Sequence, residues 1–568
     1  MFIRSFRAAA QVLALSVLLA FVATAGAQEH RHGDSKPSNN PHNAHDHGPA
    51  VGRPALMDGF GDWTHGITTS VPRAQQFFNQ GLRLAYGFNH DEAERSFREA
   101  ARLDPSCAMC WWGVAYAAGP NINLPMTADG ERRAVDAVRR AQRLAVRASE
   151  RERAYIDAAA RRFGEPIGAD RPGRDSAYAT AMRGVAKRWP SDIDAQILSA
   201  DAMLNLRPWN QWTPDGAPQP GTLEVVATLE RMLATAPNHA GACHFYVHTV
   251  EASETPERAL PCAERLPRLM PAAGHVVHMP AHVYLRVGRY ADAARANIEA
   301  VAADRRYVPR HAAPGDFYPT FYPAHNEHFL WTAYVLSGQR AKALAAARSL
   351  TGSVSVADAR GNASLEAFLS ATVLTHARFG DWDAVLAEPA PPAELRYLRG
   401  IWHYARGLAH ASRGHFADAA AELDTLRSLA AGTPATVIII LNPAPSVLEL
   451  AAEVLAGDIA LRQGRVDQAV AHLRDAVRRD KLLTYDEPPP WYHSTRHLLG
   501  TALLATGRTA EAEAAFRDDL RVFRENGWSL AGLERALRAQ QRDAEADQVA
   551  ARLATAWREA DVPPISPR

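Results

Sequence analysis

Two stretches carry histidines at a spacing suited to metal chemistry: "HFYVHTVEAS", His244 to Ser253, and "HVVHMPAHVY", His275 to Tyr284. His244 and His248 stand four residues apart, as do His278 and His282, and the second pair repeats the first after 34 residues. Residues four apart share one face of a helix, so each pair offers two ring nitrogens to one ion. His275, His325 and His328 enlarge the set, and Glu251 adds a carboxylate. Nine of the 23 histidines fall between His239 and His328, a density that random placement rarely produces.

The interval of 34 residues is the length of a tetratricopeptide unit, a helix hairpin that buries its apolar faces only by stacking on copies of itself. "GLRLAYGFNHDEAERSFREAARLDP" places Gly81, Ala93, Phe97, Ala100 and Pro105 at offsets 8, 20, 24, 27 and 32 of that unit. "HVYLRVGRYADAARANIEA" supplies Tyr284, Gly288, Tyr290, Ala293 and Ala300, and "LGTALLATGRTAEAEAAFRDDL" supplies Gly500, Gly507, Ala512 and Phe516. Weaker copies centre on Gly338, Gly380, Gly414 and Gly464. Small residues at 8 and 20 let the two helices approach, and a large one at 24 fills the gap. The expected fold is all-α: a right-handed α-solenoid of tetratricopeptide-like helix-turn-helix repeats.

In this register His275 and His325 fall at offset 2, His244, His278 and His328 at 5, His248 and His282 at 9, and Glu251 at 12. These offsets form one stripe of the first helix, the stripe that lines the concave groove of such arrays. Neighbouring first helices pack about 8–10 Å apart, so equal offsets can converge on one ion. A transition metal is expected there, and imidazoles suit Zn, Cu, Fe and Ni alike. Remaining imidazoles could hold a second ion, support the first ligands or move protons. Glu251 is the candidate base or further ligand. Pro280, inside "HMPAH", should kink the helix between His278 and His282; a helix that starts only at Pro280 would instead remove their shared face. The competing expectation is a scaffold without catalysis, whose groove hydrogen-bonds a protein or peptide partner. A third is metal buffering, with a histidine-rich tail feeding the groove.

Other residues extend the site. Trp209 and Trp212 lie in a Pro- and Gly-rich loop, Asn205 to Thr222, long enough to act as a lid. Trp112 is a candidate aromatic wall, and His497, in "PPPWYHSTRHLLG", falls on the groove stripe of a later repeat. Cys107, Cys110, Cys243 and Cys262 permit two disulfides, and for Cys107 and Cys110 a free buried thiol or a metal-ligand role also stays open.

Charge excludes one class of partner. With 63 Lys and Arg against 62 Asp and Glu there is no basic excess for nucleic acid. Residues 1–27 read as an export signal: Arg4 and Arg7, an apolar run, then small residues ending at Ala27, with an uncleaved anchor as the alternative. No later run reaches the ~20 apolar residues that cross a bilayer. The expected location is therefore periplasmic or secreted, with no membrane span after cleavage. Residues 28–58 read as a disordered tail holding His30, His32, His42, His45 and His47. Repeats are expected over 59–125, a helical segment with the Trp/Pro loop over 126–222, the histidine-rich repeats over 223–350, and further repeats over 351–568.

Five stretches, "CAMCWWGVAYAAGPNIN", "NLRPWNQWTPDG", "HFYVHTVEAS", "GHVVHMPAHVYLRVGRY" and "HNEHFL", resemble a group of exported bacterial tetratricopeptide-repeat proteins with HxxxH and HMPxH motifs. The likeness covers most of the chain after residue 60 and implies the solenoid fold. It carries over no catalytic residue, so the site rests on the histidine register.

Overall fold

The computed structural model describes residues 53–564 except residue 314; the export-signal reading and the histidines of the 30–47 stretch lie outside the described residues. The fold is an all-α solenoid of stacked helix hairpins, as the repeat register implies. The series begins with Pro72–Tyr86 and His90–Leu103 and ends with Gly527–Ala539 and Asp543–Ala556. A two-residue ladder, Ile438–Ile439 against Asn442–Pro443, interrupts the helices. Among the described residues no helix is long and apolar enough to cross a membrane.

Two glycine positions explain why these hairpins recur. Gly288, Gly338, Gly380, Gly414, Gly464 and Gly507, all between the two helices of a repeat, have φ of +69° to +79°. A side chain is strained there, so glycine closes the turn with the least penalty. At offset 8 the reason is space: a Cβ on Gly81 would lie 2.8 Å from the Phe97 ring, and one on Gly500 2.7 Å from Phe516. The same two rings also press on Gly113 and Gly532, which open the following repeats. Each phenylalanine thus joins its own hairpin to the next one.

Local capping starts the helices. Asn89 accepts the Glu92 N–H, and Ser149 and Glu152 form a reciprocal capping box. Around Pro280 the helix divides into Gly274–His278 and Pro280–Arg286, joined at Met279 in helical conformation. Both expectations for this proline are therefore half right: the helix breaks, yet it runs on both sides, and His278 and His282 keep their shared face.

The C-terminal repeats return across the central ones. Gly288 packs against the backbone of Arg524, and Tyr290 Oη donates to the Arg524 carbonyl at 2.7 Å. Trp528 Nε1 donates to the Val335 carbonyl at 3.2 Å, while Trp557 sits against both Gly338 and Gly527. Salt bridges from Arg521 to Glu254 and Arg524 to Glu257 lie at the rim. The stripe expected to line an open groove is consequently enclosed.

Packing at Phe97 makes a direct prediction. Gly113→Ala forces a methyl group into that ring and should cost about 1–3 kcal/mol, measured by urea unfolding; unchanged stability would show that the contact does not hold the first repeats together.

Candidate metal centre

The first helix of the site, Ala240–Val250, begins at His239, whose Nδ1 accepts the Ala242 N–H at 3.1 Å. A disulfide from Cys243 to Cys262 ties it to the second helix of its repeat. Cys107 and Cys110 form the other disulfide, so no thiolate is left for a metal among the described cysteines. His244, His275, His278 and His282 are wholly buried, and His248 and His325 nearly so.

Six of the seven expected histidines gather into two groups of three. His244, His248 and His275 bring ligand atoms within 4.8 Å of one another, and so do His278, His282 and His325. The two groups are built alike. Each takes offsets 5 and 9 from one first helix and offset 2 from the next. They also adjoin: the rings of His248 and His282 are 5.2 Å apart, and those of His275 and His278 5.7 Å.

Hydrogen bonds at the far side of the rings set which nitrogen faces inward. His244 Nδ1 lies 2.6 Å from the Tyr86 carbonyl oxygen, and His248 Nδ1 lies 2.8 Å from Glu251 Oε1. His282 Nδ1 contacts Glu251 Oε2. His278 Nδ1 lies 2.8 Å from Asn297 Oδ1, and the Asn297 amide nitrogen donates to the Ala293 carbonyl, which turns its oxygen toward the ring. All four partners are acceptors, so each Nδ1 carries the proton. A ring protonated at Nδ1 alone presents its Nε2 lone pair to the interior.

Those lone pairs meet. His278 Nε2 and His282 Nε2 are 2.9 Å apart, and His244 Nε2 and His275 Nε2 are 3.2 Å apart. In the second pair His275 can donate from Nε2, because its Nδ1 has no partner. In the first pair both far-side protons are committed, so with both rings neutral the two Nε2 lone pairs face each other and repel. Two imidazoles on one ion at 2.0–2.1 Å hold their nitrogens roughly 2.9–3.4 Å apart for angles from 90° to tetrahedral. Both separations suit a shared cation. His248 Nε2 is buried without any partner, as a ligand atom would be.

Electrostatics favours the same protonation. Burial, then the neighbouring imidazoles, lowers His244, His275, His278 and His325 well below the ordinary histidine value, so these rings stay neutral. Burial pushes the Glu251 carboxyl up, but His282 and His248 outweigh it and hold the group at about 2. Glu251 is thus an anion with each oxygen on a different ring. It bridges the two groups, with ligand atoms of Glu251, His248 and His282 within 4.8 Å of one another, an arrangement that also allows the ligand role expected of it. Arg286 Nε donates to its backbone carbonyl at 3.0 Å.

Aromatic rings close the centre. Phe88 lies 4.4 Å from the His244 ring and Phe329 lies 4.4 Å from the His278 ring, one phenylalanine to each group. Trp209 covers the seam, 5.2 Å from His248 and 6.4 Å from His282, and stacks on Tyr485. Trp212 Nε1 donates to the Thr249 carbonyl at 2.7 Å and pins the loop to the histidine helix. On the outer side of Trp209 lies a cavity of about 510 Å³ lined by Trp212, Arg286, Tyr485 and Glu487.

The remaining candidates lie elsewhere. His328 stacks on Trp331 with its Nδ1 unpartnered and lines a separate small cavity. Its offset matches His278, but burial against Trp331 and Phe368 holds the ring on another side of its helix. Trp112 is core, packed on Phe78, Tyr116 and Tyr155. His497 meets Ser529 and Phe516 in the C-terminal repeats. The sequence reading did not reach Phe88, Phe329, Asn297 and Tyr485. Phe88 and Asn297 stand within the repeat stretches and Phe329 within "HNEHFL", where nothing in the repeat register assigns them to the site; Tyr485 stands in none of these motifs. A further buried group, His65 with Asp192 and Asp194, is a satisfied hub: Asp194 accepts from Tyr86, Trp63 and His65.

Comparison with known proteins finds no matching family model and no matching curated protein. Among solved structures, a chain of the APC/C hetero-tetramer Cut9–Hcn1 is 12% identical, with 86% of this chain and 74% of that chain covered and a TM-score of 0.30. The human IFIT1 dimer with m7Gppp-AAAA is also 12% identical, with 86% and 91% covered and a TM-score of 0.35. At that similarity neither protein's ligands transfer to this chain.

Removing the shared carboxylate tests the site's architecture. Glu251→Ala leaves two buried imidazole N–H groups without acceptors and should destabilise the chain by about 3 kcal/mol or more. Glu251→Gln tests the charge. A folded value near 2 against 4.5 for an ordinary glutamate means the carboxylate's contribution is full above pH 4.5 and declines as pH falls toward 2. The stability gap between wild type and Glu251→Gln in urea should therefore narrow from pH 5 to pH 3; a gap independent of pH would contradict the assignment.

Proposed function

We propose that this chain is an exported metalloprotein whose two adjacent three-imidazole sites each hold one transition-metal ion. The observation that carries the reading is the 2.9 Å approach of His278 Nε2 to His282 Nε2 with both Nδ1 protons already committed. A cation between them turns a repulsion into two bonds. An all-nitrogen set without thiolate suits copper, zinc, iron or nickel. Export is supported by the pattern of residues 1–27 and by two disulfides, which persist in oxidising compartments.

The chain's own residues do the preparatory work. Tyr86, Glu251 and Asn297 orient four rings before any ion arrives, the usual task of groups behind metal ligands. Phe88, Phe329 and Trp209 exclude bulk water. Ions bound there supply Lewis acidity or, for copper or iron, electron transfer. If the centre is catalytic, the cavity beside Trp209 is where a substrate would approach, with Trp209 as the movable cover. The scaffold reading draws on the repeat fold, yet capture of a peptide on this stripe needs exposed side chains. His244, His275, His278 and His282 have none of their surface exposed.

Elemental analysis of untagged, full-length protein should find close to two metal ions per chain. His244→Ala with His248→Ala should remove about one, and His278→Ala with His282→Ala the other. Metal far below one per chain in the wild type, or content unchanged when all four are replaced, rejects the proposal and returns the repeat array to a scaffold role.

A further inference from the structure

Away from the histidines, the C-terminal repeats surround a cavity of about 600 Å³ lined in part by Arg378, Tyr404, Leu408, Tyr492, His493 and Trp528. Cavities of that size suit small organic ligands. Arg378 is only 3% exposed, and its Nη1 is buried without a hydrogen-bond partner among the described residues. The Trp528 ring lies 3.8 Å from the guanidinium carbon and covers one face of it. Among the described residues no carboxylate forms an ion pair with Arg378. Asp458 is held by Arg462 at 2.6 Å, and Asp519 by Ser529 at 2.5 Å and Asn526 at 2.9 Å.

A buried, unpaired guanidinium is costly, and natural sequences retain one where something outside the chain completes it. Burial lowers Arg378 to about 10, so it remains a cation at neutral pH. His493 adds a second unfinished group, a buried Nε2 with no partner. Burial, then Arg378 itself, lowers that ring's pKa, and in the tautomer protonated at Nε2 a neutral His493 offers that N–H as a donor. Around these polar atoms much of the wall is aromatic and aliphatic, with Asp458, Arg462 and Arg535 also on the lining. The buried guanidinium and the imidazole beside it match a planar carboxylate with an apolar body, while Arg535 adds a second positive charge.

We propose that this cavity is a second ligand site, which binds a small organic monocarboxylate with an aromatic or bulky apolar body. The carboxylate lies on Arg378 and His493, and the body lies between Tyr404, Leu408 and Trp528. A planar guanidinium fork matches a carboxylate better than a point charge does.

Titration calorimetry of the full chain tests this with 4-phenylbutyrate, its uncharged amide and inorganic phosphate as probes. The carboxylate should bind saturably, the amide at least tenfold more weakly, and phosphate neither bind nor compete. Arg378→Met should lower 4-phenylbutyrate affinity more than tenfold while circular dichroism stays native, and Arg378→Lys should retain part of it. Leu408→Trp, which fills the cavity without touching the charge, should also abolish binding and serves if Arg378→Met fails to fold. No saturable binding, equal binding of the amide, competition by phosphate, or wild-type affinity in either Arg378→Met or Leu408→Trp overturns the proposal. None of these readouts depends on metal, so the result stands apart from the fate of the histidine centre.

Discussion

Glu251 gives one carboxylate oxygen to His248 and the other to His282, and so locks two successive repeats to one another at their most polar point. Sealed away from water, that anion is tolerable only because two ring N–H groups satisfy it. Its grip decides the rest of the centre. With Nδ1 protonated on both rings, the two Nε2 atoms turn inward, one into each group of three. Asn297 and the Tyr86 carbonyl impose the same tautomer on His278 and His244. What the repeats contribute is translation: the same helix positions recur one unit later, so one solution to placing three imidazoles becomes two.

Closure of the superhelix makes those positions expensive to leave unpaired. An open groove would hydrate the rings, and their separations would mean little. Here the C-terminal repeats fold back through Tyr290, Trp528 and Trp557, and the segment carrying Tyr485 meets Trp209 over the histidines. Buried nitrogens facing one another at 2.9 Å then demand an explanation in charge. The two disulfides act in the same direction, since they remove every described thiol from the list of possible ligands.

Much of this was legible in the chain, for definite reasons. Offset-15 glycines announce themselves because left-handed backbone admits little else, and Gly81 with Phe97 encodes a close approach by size alone. The histidine register comes from counting, and six of the seven rings gather, though in threes that join offsets 5 and 9 of one helix to offset 2 of the next and not by equal offsets. His328 does not, because a flat ring can prefer stacking on Trp331 to pointing down the stripe, a choice made by tertiary packing. Trp112 was read as a wall and is core, since an offset cannot tell which side a neighbouring helix will cover. Phe88, Asn297 and Tyr485 come from a turn, a second helix and a distant segment. No local periodicity links such residues to a site that only closure of the array assembles. Arg378 is similar: nothing in "THARFGDW" marks an arginine that will be buried without an acid.

The most direct measurement is X-ray absorption at the metal edge, together with anomalous diffraction from crystals of the metal-loaded chain. Two sites are expected, each with three imidazole nitrogens at about 2.0–2.1 Å, bonded through Nε2 with Glu251 outside the coordination sphere. An ion bound through Nδ1 or through Glu251, or ions found only on histidines outside these two groups, would contradict the account.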